Sequence, residues 1–208
     1  MHPQRGETLV GLLVGLALGL LVAAAGQRML AQQLRHERQT QTLLQAQTQL
    51  RDAIDLMLHT LQGAQGFPNA WTTRTDAQCH DAFCTGSEDF SLNGTQLEFT
   101  LDRNRDGVQD NNECLGFRLT AGEIKAKTSC TPVVWTSLTG SDHLKVTAMT
   151  WQLRCTIHGH MVQRWMDLKI TALWPGEPEQ SIEQQQSVLL HNDVPVRSMA
   201  GLCGIAPA

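Results

Sequence analysis

The sharpest polar motif in the chain is the run Asp102-Arg103-Asn104-Arg105-Asp106-Gly107-Val108-Gln109-Asp110-Asn111-Asn112-Glu113. Oxygen-bearing side chains stand at its first, third and fifth places (Asp102, Asn104, Asp106) and glycine at its sixth. Val108 can offer a backbone carbonyl at the seventh, Asp110 is the acid at the ninth, and Glu113 closes the twelfth. This is the ligand order of a calcium loop. Ca2+ is a hard ion that takes six to eight oxygens, and this spacing wraps them round one centre while glycine allows the sharp turn. Calcium is therefore the one cofactor the sequence leads us to expect. The competing reading is a solvated turn between strands, since Asp, Asn and Gly are also what turns use for their own geometry. The flanks read as strands and not as the two helices of an EF-hand.

Cysteine is the other chemistry-bearing residue type. Cys79, Cys84, Cys114, Cys130, Cys155 and Cys203 form an even set, which in an exported chain reads as disulfides in an oxidising compartment. Fifteen pairings are open for six cysteines. Proximity along the chain favours Cys79 with Cys84, Cys114 with Cys130 and Cys155 with Cys203. Zinc is disfavoured, because Cys79, His80 and Cys84 lack ligand spacing. His158-Gly159-His160 reads as a turn and not as a metal pair. Trp71, Trp135, Trp151, Trp165 and Trp174 are expected as core or interface anchors, and Asn93-Gly94 as a hairpin turn in preference to a glycosylation sequon. No nucleophile elbow, phosphate loop, HExxH or paired-carboxylate motif occurs in the sequence, so no enzymatic activity is expected.

The elements that position these residues begin with an apolar run. From Thr8 to Gln27 no charged side chain occurs, and about 20 such residues suffice for a helix to cross a bilayer core. Gly11, Gly15, Gly19 and Ala23 recur every four residues along it. They form a stripe of small residues on which helices can approach closely. From Gln27 to Gln62 there is neither Gly nor Pro, and the good helix formers Gln, Leu, Ala and Arg dominate. The apolar positions Leu30, Leu34, Leu44, Leu50, Ile54, Met57, Leu58 and Leu61 are sparse at first and dense later, so Leu44 to Leu61 reads as a face that docks on a sheet. One helix from Thr8 to Gln62 would be roughly 80 Å long. Gly63, Gly66 and Pro68 end it.

Beyond Phe67 the pattern changes to strands. Gln96 to Leu101 alternates apolar and polar residues, as do Leu115-Phe117-Leu119 and Ile124 to Thr128 across a turn at Ala121-Gly122. That hairpin places Cys114 and Cys130 at its open end, near enough to bond. Longer alternating runs follow at His143 to Ile157 and Val162 to Trp174, with Gln185 to His191 as the last strand. A long helix followed by consecutive strands is an α+β pattern, with an antiparallel sheet on the second half of the helix.

A short leader with Arg5 and Gly6, then Glu7-Thr8-Leu9-Val10 and the unbroken apolar run, resembles the N-terminus of type IV pilins and type II secretion pseudopilins. Gly116-Phe117-Arg118-Leu119, Thr128-Ser129-Cys130 and Val188-Leu189-Leu190-His191-Asn192-Asp193 extend the resemblance to minor pilins of the PilW/PulJ type, including prepilin-peptidase-dependent proteins. The resemblance implies cleavage between Gly6 and Glu7, methylation of the new terminus, and burial of the apolar helix in a filament core. It also implies other pilins and prepilin peptidase as partners. The domain plan that follows is a leader at 1–6, a membrane and assembly helix at 7–27, its continuation into the head at 28–62, and a periplasmic β-rich head at 63–208. Two departures stand out. Glu7 replaces the usual Phe, and Gly11 stands where the family usually has a glutamate that pairs with a neighbour's N-terminus. A subunit at the filament tip needs no such pair, so a tip or priming position is the expectation. A tip adhesin or DNA-uptake module with a calcium-stabilised loop is the alternative.

Composition bounds these readings. The 208 residues carry a formal charge of -4 with pI near 6.0, which gives no basic face for nucleic acid. Without leader and helix, about 145 residues remain, enough for one domain with its own core. Flanking charge points the other way: only Arg5 precedes the span while Arg28, Arg35 and Arg38 follow it, and the positive-inside rule alone would hold the head in the cytoplasm. The cysteines and the leader outweigh that count, since large domains translocate despite flanking charge.

Overall fold

Good helix formers without an interior Pro let one helix, α1, run from Leu9 to Gln62 over 54 residues. The computed structural model describes residues 9–64, 66, 83, 90–140, 144–159, 161–173, 181–191 and 194–195. The chain divides into two units, Met1–Leu44 and Gln45–Ala208.

In the first unit, the large apolar side chains of α1 from Leu9 to Val22 are all exposed, Leu9 at 76% and Val22 at 73%. In the second unit the same helix is amphipathic. Ala46, Leu50, Ala53, Ile54, Met57 and Leu61 are buried, and their steps of one, three and four residues place them on one face. Leu44, which the sequence pattern puts on that face, is 56% exposed, so burial starts half a turn later, at Ala46.

The strands form two antiparallel sheets where the hydrophobic pattern foresaw one. The first is β1 (Ser91–Asn93), β2 (Gln96–Thr100), β3 (Cys114–Thr120), β4 (Glu123–Ser129) and β5 (Val134–Ser137), in that spatial order. The second is β6 (Lys145–His158), β7 (Met161–Leu173) and β8 (Ser181–Leu189) in order, with β9 (Val194–Pro195) also pairing β7. Strand β1, strand β5 and the first half of β8 are not visible as alternation in the sequence. Each is an edge strand exposed over most of its length, so no buried face imposes a period of two on it.

Turn chemistry sets the registers. Ala121 and Gly122 both hold positive φ, 55° and 83°, the pair of conformations that a two-residue hairpin matched to strand twist requires. Asn93 pairs with Gln96, so the first hairpin turns through Gly94 and Thr95, one residue later than expected from Asn93-Gly94. β7 buries Val162, Met166, Leu168, Ile170 and Ala172 on one face.

The core of the second unit joins helix and both sheets. Leu50, Ile54, Met57 and Leu61 cluster with Leu97, Phe99, Phe117 and Ile124 of the first sheet and Met149, Met166, Leu168 and Ile170 of the second. Burying each such side chain contributes about 1.5–3 kcal/mol. An aromatic line crosses this core, from Phe90 to Phe99 (6.2 Å between centroids), Phe99 to Phe117 (6.0 Å) and Phe117 to Trp151 (6.1 Å). Trp151 is thus a core anchor, while Trp135 lies under the Arg118 guanidinium at 4.2 Å. Trp71 and Trp174 lie outside the described residues.

Candidate functional site

The connection from β2 to β3 holds all six ligand residues of the calcium-like motif. Its ends are closed by the ladder itself, since the Leu101 N–H donates to the Glu113 carbonyl at 3.1 Å. Asp102 and Glu113 are buried, at 4% and 1% exposure, and buried carboxylates need donors. Each finds two backbone amides. Asp102 Oδ1 accepts from Arg105 N (2.6 Å) and Oδ2 from Gly107 N (2.9 Å). Glu113 Oε1 accepts from Arg103 N (2.7 Å) and Oε2 from Asp110 N (2.8 Å). The first and last motif residues therefore wind the loop from inside. Gly107 at φ 79° makes the tight turn that brings its N–H to Asp102.

The exposed motif residues form a second ring. Val108 N donates to Asp106 Oδ1 (2.7 Å) and Asp106 N to Asn104 Oδ1 (3.2 Å). Asn104 Nδ2 lies between two carboxylates, 2.9 Å from Asp106 Oδ2 and 3.0 Å from Asp110 Oδ2. Its amide hydrogens supply the positive edge that two adjacent carboxylates require. In this arrangement the acids are turned to amides. Among the described residues no group of three or more His, Cys, Asp or Glu side chains converges as for a metal ion. Each Asp102 and Glu113 oxygen keeps one lone pair beyond its amide. The donor set fits Ca2+ in type and order, and the carboxylates would have to turn inward together to hold it.

The loop is fastened on two sides through partners outside its six ligand places. Asp102 N donates to the Gly66 carbonyl at 3.0 Å, just after α1 ends. On the other side Asn111 accepts from Cys130 N at its carbonyl (2.8 Å) and from Thr131 N at Oδ1 (2.7 Å). Cys114 and Cys130 are disulfide-bonded, with Cα atoms 4.9 Å apart. Cys155 is also disulfide-bonded, and its expected partner lies outside the described residues. Cys79, Cys84 and Cys203 lie outside them too, as do Gly6 and Glu7 of the processing site and His160 of the His-x-His pair. Asn111 was not singled out from sequence, because an Asn in an Asx-rich run carries no signal of its long-range partner.

The small-residue stripe lies on α1. Gly11, Gly15, Gly19 and Ala23 are all exposed, and a Cβ added at Gly15 or Gly19 meets no atom within 4 Å. Among the described residues, nothing in the chain needs glycine at these two positions. Among the described residues α1 is the one helix whose length and apolar composition suffice to cross a membrane.

Residues 39–190 match the family described as PpdB, prepilin peptidase-dependent protein B, which is well over half of the chain. The chain belongs to the PpdB family. No curated protein and no solved structure matches it. As a PpdB protein it is a minor pseudopilin taking part in pilus or pseudopilus assembly, not an enzyme. Its partners are prepilin peptidase and other pilin or pseudopilin subunits. The pilin-like layout of an apolar N-terminal helix and a β-sheet domain agrees with that membership. The PpdB match begins at Gln39, inside α1, so it rests on the head and the second part of the helix and not on the apolar run.

Proposed function

We propose that α1 holds this PpdB-family chain in the inner membrane with its head in the periplasm until prepilin peptidase cuts between Gly6 and Glu7. The subunit then leaves the bilayer and primes or caps a type IV pilus or type II secretion filament at its tip. One observation carries the reading: a single helix exposes every large apolar side chain from Leu9 to Val22, while its last turns belong to the core of a folded head. So large an apolar surface is stable only in lipid or against other helices. The bonded cysteines support an oxidising compartment for the head. Gly11 in place of an ion-pairing glutamate supports a tip position.

Filament assembly tests this through Gly15→Leu. Adding bulk to the stripe is expected to lower assembly while the head keeps its melting temperature. Unchanged filament formation by that variant would contradict the packing role.

The loop Asp102–Glu113 is proposed to take Ca2+ as a structural ion. The bridging position of Asn104 Nδ2 favours this, because it marks where Asp106 and Asp110 call for positive charge. Titration calorimetry of the full chain in detergent is expected to show calcium binding that Glu113→Gln removes. No heat of binding, with no change in melting on adding chelator, would rule the ion out.

A further inference from the structure

A sheet edge exposes unpaired N–H and C=O groups that invite another strand, and proteins guard such edges with short strands, bulges, lysine or proline. Four of the five outer strands among the described residues are guarded, β9 by its length of two residues and by Pro195. β1 has three residues and β5 four, and the register of β5 on β4 shifts between Lys127 and Ser129. β6 is long, but its register shifts between Val146 and Ala148 and it carries Lys145 and Arg154.

β8 has none of these devices. Its nine residues pair with β7 in unbroken register from Ser181 to Leu189. The strand holds no Lys, Arg or Pro. Its one charge, Glu183, is neutralised within the same sheet by Lys169 at 2.8 Å. Glu183, Gln184, Gln185, Gln186 and Ser187 are exposed in succession, so both faces of the strand are open, and among the described residues no strand pairs its outer edge.

We propose that the β8 edge pairs antiparallel with β8 of a second copy of this chain, centred on Gln185. The strand is self-complementary in that register. Gln185 faces its own copy and Gln184 faces Gln186, and amide side chains both donate and accept across such pairs. Glu183 faces Ser187, so no like charges oppose. Ile182 faces Val188 at each end, and both lie on the buried-face parity of the sheet, opposite Ala172 and Met166. The two sheets then join as one, with the β7 strands flanking the new pair. A nine-residue strand pair is a small interface, so confinement of both copies supplies much of the effective concentration. That confinement rests on the membrane reading of α1; the strand complementarity does not.

The test uses the full-length chain in native membranes with Gln185→Cys, oxidised with copper phenanthroline and run on a non-reducing gel. Directly opposed residues lie within disulfide reach. A reducible dimer is expected for Gln185→Cys and not for Thr156→Cys, which is exposed on the guarded strand β6. In the Gln185→Cys background, Gln184→Glu with Gln186→Glu opposes like charges twice and is expected to lower the dimer several-fold. Gln184→Lys with Gln186→Glu is expected to restore it. No dimer at position 185, equal dimer at both positions, or a cross-link only to a protein of different mass overturns the proposal. The dimer is read whether or not the leader is cut, so failure here is distinct from failure of the assembly reading.

Discussion

The backbone N–H of His191 donates to the carbonyl of Gln62 across 3.1 Å, tying the last residue of α1 to the chain just beyond β8. Four residues on, the Gly66 carbonyl accepts from Asp102 N at the mouth of the acidic loop. The exit from the helix is therefore held by one sheet through His191 and by the other through Asp102. The C-terminal end of α1 is thus clamped between the two sheets. Its apolar stripe supplies the rest of the attachment.

Met57 is fully buried on that stripe, whereas Leu56, one residue earlier, is 50% exposed. Met57→Ala is expected to destabilise the head by about 2–5 kcal/mol through lost burial and a cavity. Leu56→Ala is expected to change stability by less than about 0.5 kcal/mol. Denaturant unfolding monitored by circular dichroism separates the two, and equal effects would mean that a different helix face is docked.

Glu113 closes the acidic loop by accepting from Arg103 N and Asp110 N. Glu113→Ala leaves both amides without their partner and is expected to cost about 1–3 kcal/mol. Glu113→Gln keeps one acceptor oxygen and is expected to cost less. Thermal melts in chelator check the order, which isolates the hydrogen bonds from any bound ion.

Gly116 is buried in β3 opposite Glu98 of β2. A Cβ there would lie 2.6 Å from the Leu97 carbonyl oxygen, closer than real contacts allow, and a tight 3.0 Å from Glu98 Cγ. Gly116→Ala is expected to force β2 and β3 apart at a cost of about 1–3 kcal/mol. A melting temperature equal to the parent's would show that the strand pair is looser than this.

The carboxyl of Asp167 is held below its ordinary value of 3.8, first by the hydrogen bond from Arg154 and then by that from Ser187, against an opposing effect of burial. Because the folded value is depressed, its stabilising effect is complete above pH 3.8 and is lost as pH falls through the folded value. Asp167→Asn is expected to flatten the acid limb of the stability curve below that pH. Arg154 is exposed, so solvent screening keeps the effect small. Urea midpoints measured from pH 5 to pH 2 follow it; an unchanged acid limb would assign the acid sensitivity to other carboxylates.

Much of this architecture was legible in the residues. The unbroken apolar run, followed by helix formers without Gly or Pro from Gln27 to Gln62, gave α1, and Ala121-Gly122 gave the hairpin that joins Cys114 to Cys130. Alternation gave β2, β3, β4, β6 and β7, because each buries one face. It could not give the division into two sheets, since a period of two tells which face a residue takes and not which strand lies beside it. It missed β5, whose Val134 is 45% exposed, and the polar start of β8 for the same reason. The acidic motif was legible as a loop, but its fastening through Gly66 and Asn111 was not, because backbone partners distant in sequence leave no mark on residue type.

The central claim is that a membrane-grade helix becomes part of a filament after its leader is removed. Mass spectrometry of the N-terminus, in cells with a working prepilin peptidase, tests it most directly. A chain that begins at methylated Glu7 is the predicted result; a chain that keeps Met1 through Gly6 would contradict the account.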